Sequence, residues 1–167
     1  VVEGTDYIHT GLVRKVDSGS IRQSLDSNKI VLLSPLGFSP TGQAFNLAYE
    51  DVACATASAL KADKLIFLSA VESLKTEAGE PMAELSLDKL DQYLNTKTPN
   101  HGDLRSLLLT ASKALKLGVG RVHLLPHNRD GALLEELFTH DGIGTMIASS
   151  DIENLREANL DDIGGIL

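Results

Sequence analysis

The sequence predicts an α/β domain, a three-layer αβα sandwich with helices on both faces of a mainly parallel sheet. Three observations carry that expectation. Short continuous apolar runs, the mark of strands buried on both faces, recur at 29–34, 64–71 and 121–126. Alanine-rich or amphipathic stretches of helical length separate them. Strand–helix–strand alternation requires crossover connections, which set neighbouring strands parallel.

In chain order, GLVRKVD (11–17) alternates apolar and charged residues and reads as a half-buried strand. SIRQSLDSN, from Ser20, reads as a short helix with Ile21 and Leu25 on one face. KIVLLS (29–34) reads as a buried strand, and PLGFSPTGQ after it as a Gly/Pro/Ser-rich loop. YEDVACATASALKA (49–62) is a helix by alanine content, and KLIFLSAV (64–71) a second buried strand. LKTEAGEPM (74–82) is a polar turn segment. SLDKLDQYL (86–94) is a helix led by a Ser cap, and NTKTPNHGD (95–103) a loop. LRSLLLTASKALKLG (104–118) is a strong helix stopped by Gly118, and RVHLLP (121–126) a third buried strand. DGALLEELFTHDG (130–142) reads as a helix with Asp130 as N-cap and Gly142 past its end, followed by a strand at 144–149. The tail from Ser150 changes character and reads as a polar helix or linker.

The 167 residues amount to about one domain, and one with no buried strand before residue 11 is expected to be part of a larger protein. A formal charge of −8 disfavours nucleic acid and anionic membrane surfaces as partners. No apolar run of bilayer length occurs, and the first residues resemble neither a signal nor a transit peptide. A single cysteine, Cys54, excludes an intramolecular disulfide and suits a reducing cytoplasm.

Ligands of open α/β sheets sit at the carboxyl ends of strands, which selects SPLGFSPTGQ, the stretch after Ser69, and PHNRDG. SPLGFSPTGQ is either a backbone phosphate cradle or a plain strand-to-helix connection. It is not a P-loop, because Gln43 follows Gly42 where a lysine is required. His123 and His127 are four apart across Pro126, and with no Cys pair they predict no metal. No G-x-S-x-G elbow is present, so the sequence gives no grounds for a Ser-His-Asp triad. Leu133, Leu134, Leu137 and Phe138 define the expected buried stripe of the 130–142 helix. Glu136 falls at its boundary, where spacing alone favours a solvated acid at a helix end that the dipole disfavours. Gly142 reads as a helix stop, and Gly144 as the entry to the strand.

Taken together, DYIHTG, VRKVD, IVLLSPLGFSPTGQAFNL, ALKADKLIFL, RVHLLP and LLEELFTHDGIGTMI resemble the N-acetylglutamate synthases of bacterial arginine biosynthesis. The resemblance covers almost the whole chain. It places residues 1–150 in the C-terminal half of an amino-acid-kinase-like domain, and 151–167 at the linker and start of a GNAT-type acetyltransferase domain. It implies a cytoplasmic homo-oligomer with no nucleic-acid or membrane partner. The parent enzyme would acetylate L-glutamate with acetyl-CoA, while this segment would hold no cofactor and no synthase activity. The kinases of the family carry N-x-N-A-D, a Gly-Gly segment followed by lysine, and T-D-x-x-G. Here Glu50 replaces the Asp, the stretch from His101 to Arg105 lacks the lysine, and Ser69 to Ser73 departs from the third motif. The resemblance further implies that L-arginine is an effector bound by His123, Glu136 and Gly142, with Lys64 as an additional contact. The alternatives are an acetylglutamate kinase using ATP and a non-catalytic oligomerisation module.

Overall fold

The computed structural model describes residues 8–70, 74–76, 78–96, 102–139 and 142–149. Helix α1 spans Ser18–Asp26, and the Asp17 carboxylate caps it by accepting from the Ser20 N–H at 3.2 Å. Ile21 is buried beneath it, whereas Leu25 stays 44% exposed. Strands β1 (Leu36–Phe38) and β2 (Ala44–Asn46) form an antiparallel hairpin. Helix α2 (Tyr49–Leu60) leads into β3 (Lys64–Ser69). A small hairpin, β4 (Leu74–Lys75) and β5 (Pro81–Met82), precedes β6 (Glu84–Ser86). Helices α3 (Leu87–Thr96) and α4 (Gly102–Lys116) follow, then β7 (Arg121–Pro126), α5 (Ala132–Phe138) and β8 (Thr145–Ala148).

The central sheet runs β3-β7-β8-β6. β3 and β7 are parallel, as are β6 and β8, while β7 and β8 are antiparallel. The sheet is therefore mainly parallel, as expected. Strand alternation divides its side chains cleanly. Leu65 and Phe67 of β3, Val122 and Leu124 of β7 and Ile147 of β8 join the core built by α2, α3 and α4. His123 and Leu125 point to the opposite face, where α5 lies with Ala132 buried. These are the three layers. Helix α1 attaches to the assembly by donating from the Arg22 guanidinium to the Leu60 carbonyl at 2.7 Å, at the C-terminal end of α2.

Several elements differ from the sequence expectation. Residues 11–17 form no strand: the chain meets β2 only briefly, at His9, Thr10 and Gly11, and then turns away to the cap of α1. Residues 29–34 are not a buried strand either. An apolar run becomes a strand only where its backbone finds a partner edge, and among the described residues this one has no ladder. Ile30 and Leu32 are 97% and 94% exposed. Val31 and Leu33, on the alternate side, border a cavity of about 320 Å³ with Val52, Thr56 and Leu65. The 36–46 stretch is a hairpin rather than a loop. Its turn is closed by Ser39 N–H to the Gln43 carbonyl and Gly42 N–H to the Ser39 carbonyl, both 2.9 Å.

Helix α5 is shorter than predicted, and it is turned over. Its N-cap is Gly131, not Asp130, and it ends at Phe138 with Thr139 extended, four residues before Gly142. The leucine stripe faces outward: Leu133, Leu134, Leu137 and Phe138 are all exposed. The buried face instead carries Ala132 and Glu136, one turn apart.

Strand β8 is secured by Thr145, which is fully buried. Its hydroxyl donates to the Met82 carbonyl at 2.7 Å and accepts from the Leu74 N–H at 3.0 Å, fastening β8 to the β4–β5 hairpin. Replacing it with the isosteric valine strands a buried donor and a buried acceptor. Thr145→Val is expected to lower unfolding free energy by about 1–3 kcal/mol, with Thr145→Ser recovering most of the loss. A denaturant titration measures it, and an unchanged midpoint for valine would show the two bonds to be dispensable.

Candidate functional site

The most polar buried cluster on the α5 face centres on Glu136. Its side chain is 6% exposed, and that of His123 is 5% exposed. The small side chain of Ala132 on the same helical face lets α5 lie close to β7. Glu136 then reaches His123, with Nδ1 and Oε1 2.5 Å apart. The other carboxylate oxygen, Oε2, accepts from the backbone N–H of Ile143 at 2.9 Å and of Gly144 at 3.3 Å. One acid thus joins a helix, the middle of the sheet and the turn that opens β8.

Glycine at 142 and 144 makes this geometry available. Gly142 has φ +60°, and a Cβ there would lie 2.6 Å from Glu136 Oε2. A Cβ on Gly144 would run into the Leu124 carbonyl and the Leu125 side chain. The expectation of a solvated Glu136 and of Gly142 as the helix stop is therefore corrected. The acid is buried, and the glycine admits its carboxylate.

Burial is the largest single influence on the Glu136 carboxyl and pushes its pKa up. The Ile143 N–H, the His123 side chain, the Gly144 N–H and the charge of a protonated His123 together outweigh it. The net result is a carboxyl held below its ordinary value. The carboxylate also sits near the C-terminal end of α5, where the dipole opposes it by about 0.3–1 kcal/mol. Three donors offset that cost. The other ring nitrogen, His123 Nε2, is buried and has no hydrogen-bond partner among the described residues.

The structure brings His123, Glu136 and Gly142 together. Lys64 stands apart at the exposed start of β3, opposite Arg121 and two residues before the Ile66–His123 pair. It shares their sheet face, and among the described residues it has no ionic partner. The N–H groups of Ile143 and Gly144 were missed in the sequence, because backbone donors leave no mark in side-chain identity. Arg121, a second cation on that face, was missed as well, although its alternation with His123 along β7 was readable.

The other candidate segments look different. Within the 36–46 hairpin, Ser39 Oγ pairs with Thr41 and accepts from Gln43 N–H, so these polar groups serve the turn itself. Asn46 ends β2, and Glu50 lies in the first turn of α2. Lys113 sits on α4, 3.7 Å from Asp51. His101 and residues 71–73 lie outside the described residues.

A mainly parallel sheet between helical layers defines the class as a three-layer α/β domain. Residues 3–126 match the amino acid kinase family, and the chain belongs to that family. It is 53% identical to an amino-acid acetyltransferase of Ralstonia nicotianae, over all of this chain and 37% of the relative. It is 48% identical to an amino-acid acetyltransferase of Pseudomonas fluorescens, over all of this chain and 38% of that protein. Among solved structures it resembles N-acetylglutamate synthase from Neisseria gonorrhoeae complexed with coenzyme A and L-arginine. That likeness has a TM-score of 0.86 at 36% identity, covering 99% of this chain and 38% of the other. A carbamate kinase from Giardia lamblia bound to AMP-PNP shares the fold, with a TM-score of 0.62 at 16% identity. The chain thus spans well under half the length of the acetyltransferases it matches.

A carboxyl whose pKa is depressed on folding stabilises the protein above its unfolded value, and that contribution disappears as pH falls through the folded value. The stability difference between wild type and Glu136→Gln should therefore be full at pH 5 and shrink as pH drops below the ordinary glutamate value of 4.5. Urea titrations at pH 5 and pH 3 measure it. Equal differences at both pH values would show that the carboxylate charge contributes nothing.

Proposed function

We propose that this chain is the effector-binding, kinase-like part of a longer N-acetylglutamate synthase, and that its effector is L-arginine. The observation that carries the reading is the buried carboxylate of Glu136, held ionised beside His123 and a glycine turn. A guanidinium is the cation best matched to a carboxylate, through a planar fork of charge-assisted N–H groups. The relatives named amino-acid acetyltransferase, and the similar synthase crystallised with L-arginine, support the same reading. In it, His123, Glu136 and the backbone around Gly142 receive the effector. Lys64, on the same sheet face, contributes longer-range attraction for its carboxylate.

The parent protein would transfer an acetyl group from acetyl-CoA to L-glutamate. Residues 1–150 belong to the regulatory domain in this reading, and 151–167 lead into the acetyltransferase domain. No synthase chemistry is assigned to the present segment, and the parent is read as a cytoplasmic homo-oligomer. A kinase reading has less support, since Glu50 stands where the family's kinases carry Asp, and the first lysine after the His101–Arg105 stretch, Lys113, lies well inside α4 and is engaged by Asp51. Arginine would regulate through unequal affinity for two domain arrangements, a coupling of about 1–3 kcal/mol.

Calorimetric titration of the intact protein with L-arginine tests the assignment. Loss of a charged hydrogen-bonding partner corresponds to about 1.5–3 kcal/mol, so Glu136→Ala should weaken binding about 10- to 150-fold. Equal affinities for wild type and variant would remove Glu136 from the site.

A further inference from the structure

In this structure Glu136 is already engaged. An ionised carboxylate offers about four acceptor positions, two on each oxygen. Oε1 pairs with His123 Nδ1, whereas Oε2 accepts from both Ile143 and Gly144. One position remains open, and it is on Oε1. A guanidinium fork places one N–H on each oxygen, so Glu136 cannot accept the fork while the turn occupies Oε2.

We propose that the 142–144 turn is a latch on Glu136, and that a guanidinium ligand and the closed turn exclude one another. The ligand takes Oε2, and the turn releases its two N–H groups to solvent. This inference rests on the arginine reading above. It adds what binding does to the chain. The turn runs directly into Thr145, which fastens β8 to the β4–β5 hairpin, and β8 in turn joins β7 to β6. A ligand smaller than a dipeptide would thereby act on the entry to the last strand among the described residues. The latch also explains the tight fit at Gly142, where a methyl group would press against Oε2. Alanine there should wedge the turn open without ligand.

Amide hydrogen exchange in the intact protein reads the latch directly, with arginine occupancy fixed by calorimetry on the same sample. At saturating L-arginine, exchange at Ile143 and Gly144 should quicken at least about tenfold, as expected when two protected amides open to water. Gly142→Ala should give the same quickening without arginine. Unchanged or slower exchange at both amides in the arginine-bound wild type would overturn the latch and leave the arginine site standing. If no arginine binds to the wild type, both readings fall together.

Discussion

One carboxylate carries the polar side of this fold. Glu136 is the shared acceptor for an imidazole on β7 and for two backbone N–H groups at the mouth of β8. The helix that presents it has only seven residues, too few to persist by backbone hydrogen bonding alone. Most of its apolar side chains face outward, so little hydrophobic burial holds it either. What anchors α5 is the seat of Ala132 and the bonds of Glu136. Removing the acid would leave an imidazole and two amides without their acceptor, a penalty larger than the net worth of the bonds themselves.

The site owes its precision to the opposite face of the sheet. Val122 and Leu124 are locked into the aliphatic core of α2, α3 and α4, and this fixes the strand on which His123 alternates with them. The helices of that layer are also tied to one another, because Asp91 on α3 accepts from Ser112 and Lys116 on α4 at 3.1 and 2.9 Å. A rigid strand meets a short helix and a glycine turn. One partner of the site is therefore immovable, and the other two depend on local bonds. Such an arrangement favours switching, because the weaker elements can rearrange while the sheet keeps its register.

The legible parts of the fold were those where side-chain pattern and environment agree. Helices α2 and α4 and strands β3 and β7 follow from periodicity, since their apolar residues meet a core made of the same kind of residue. The run at 29–34 has the composition of a strand, but strand formation depends on a neighbouring edge that composition does not report. Helix α5 misled for a different reason. Apolar patterning identifies the face that meets an apolar core, whereas α5 meets His123 and a turn, so its acid lies inside and its leucines outside. The direction of β8 has no local signal at all. For the site, spacing alone favoured a solvated Glu136. Its choice along with His123 and Gly142 came from family resemblance. The neighbouring amides of Ile143 and Gly144 were invisible because any residue but proline supplies an N–H.

A double-mutant cycle between Glu136 and His123 tests most directly whether their bond holds the helix to the sheet. Leucine at either position leaves the other partner buried and unsatisfied, while leucine at both leaves neither. Unfolding free energies of the wild type, Glu136→Leu, His123→Leu and the double variant should show coupling of about 1–3 kcal/mol, the double variant losing less than the sum of the single losses. Additive losses, to within about 0.5 kcal/mol, would contradict the account and leave Glu136 buried beside the strand without joining it.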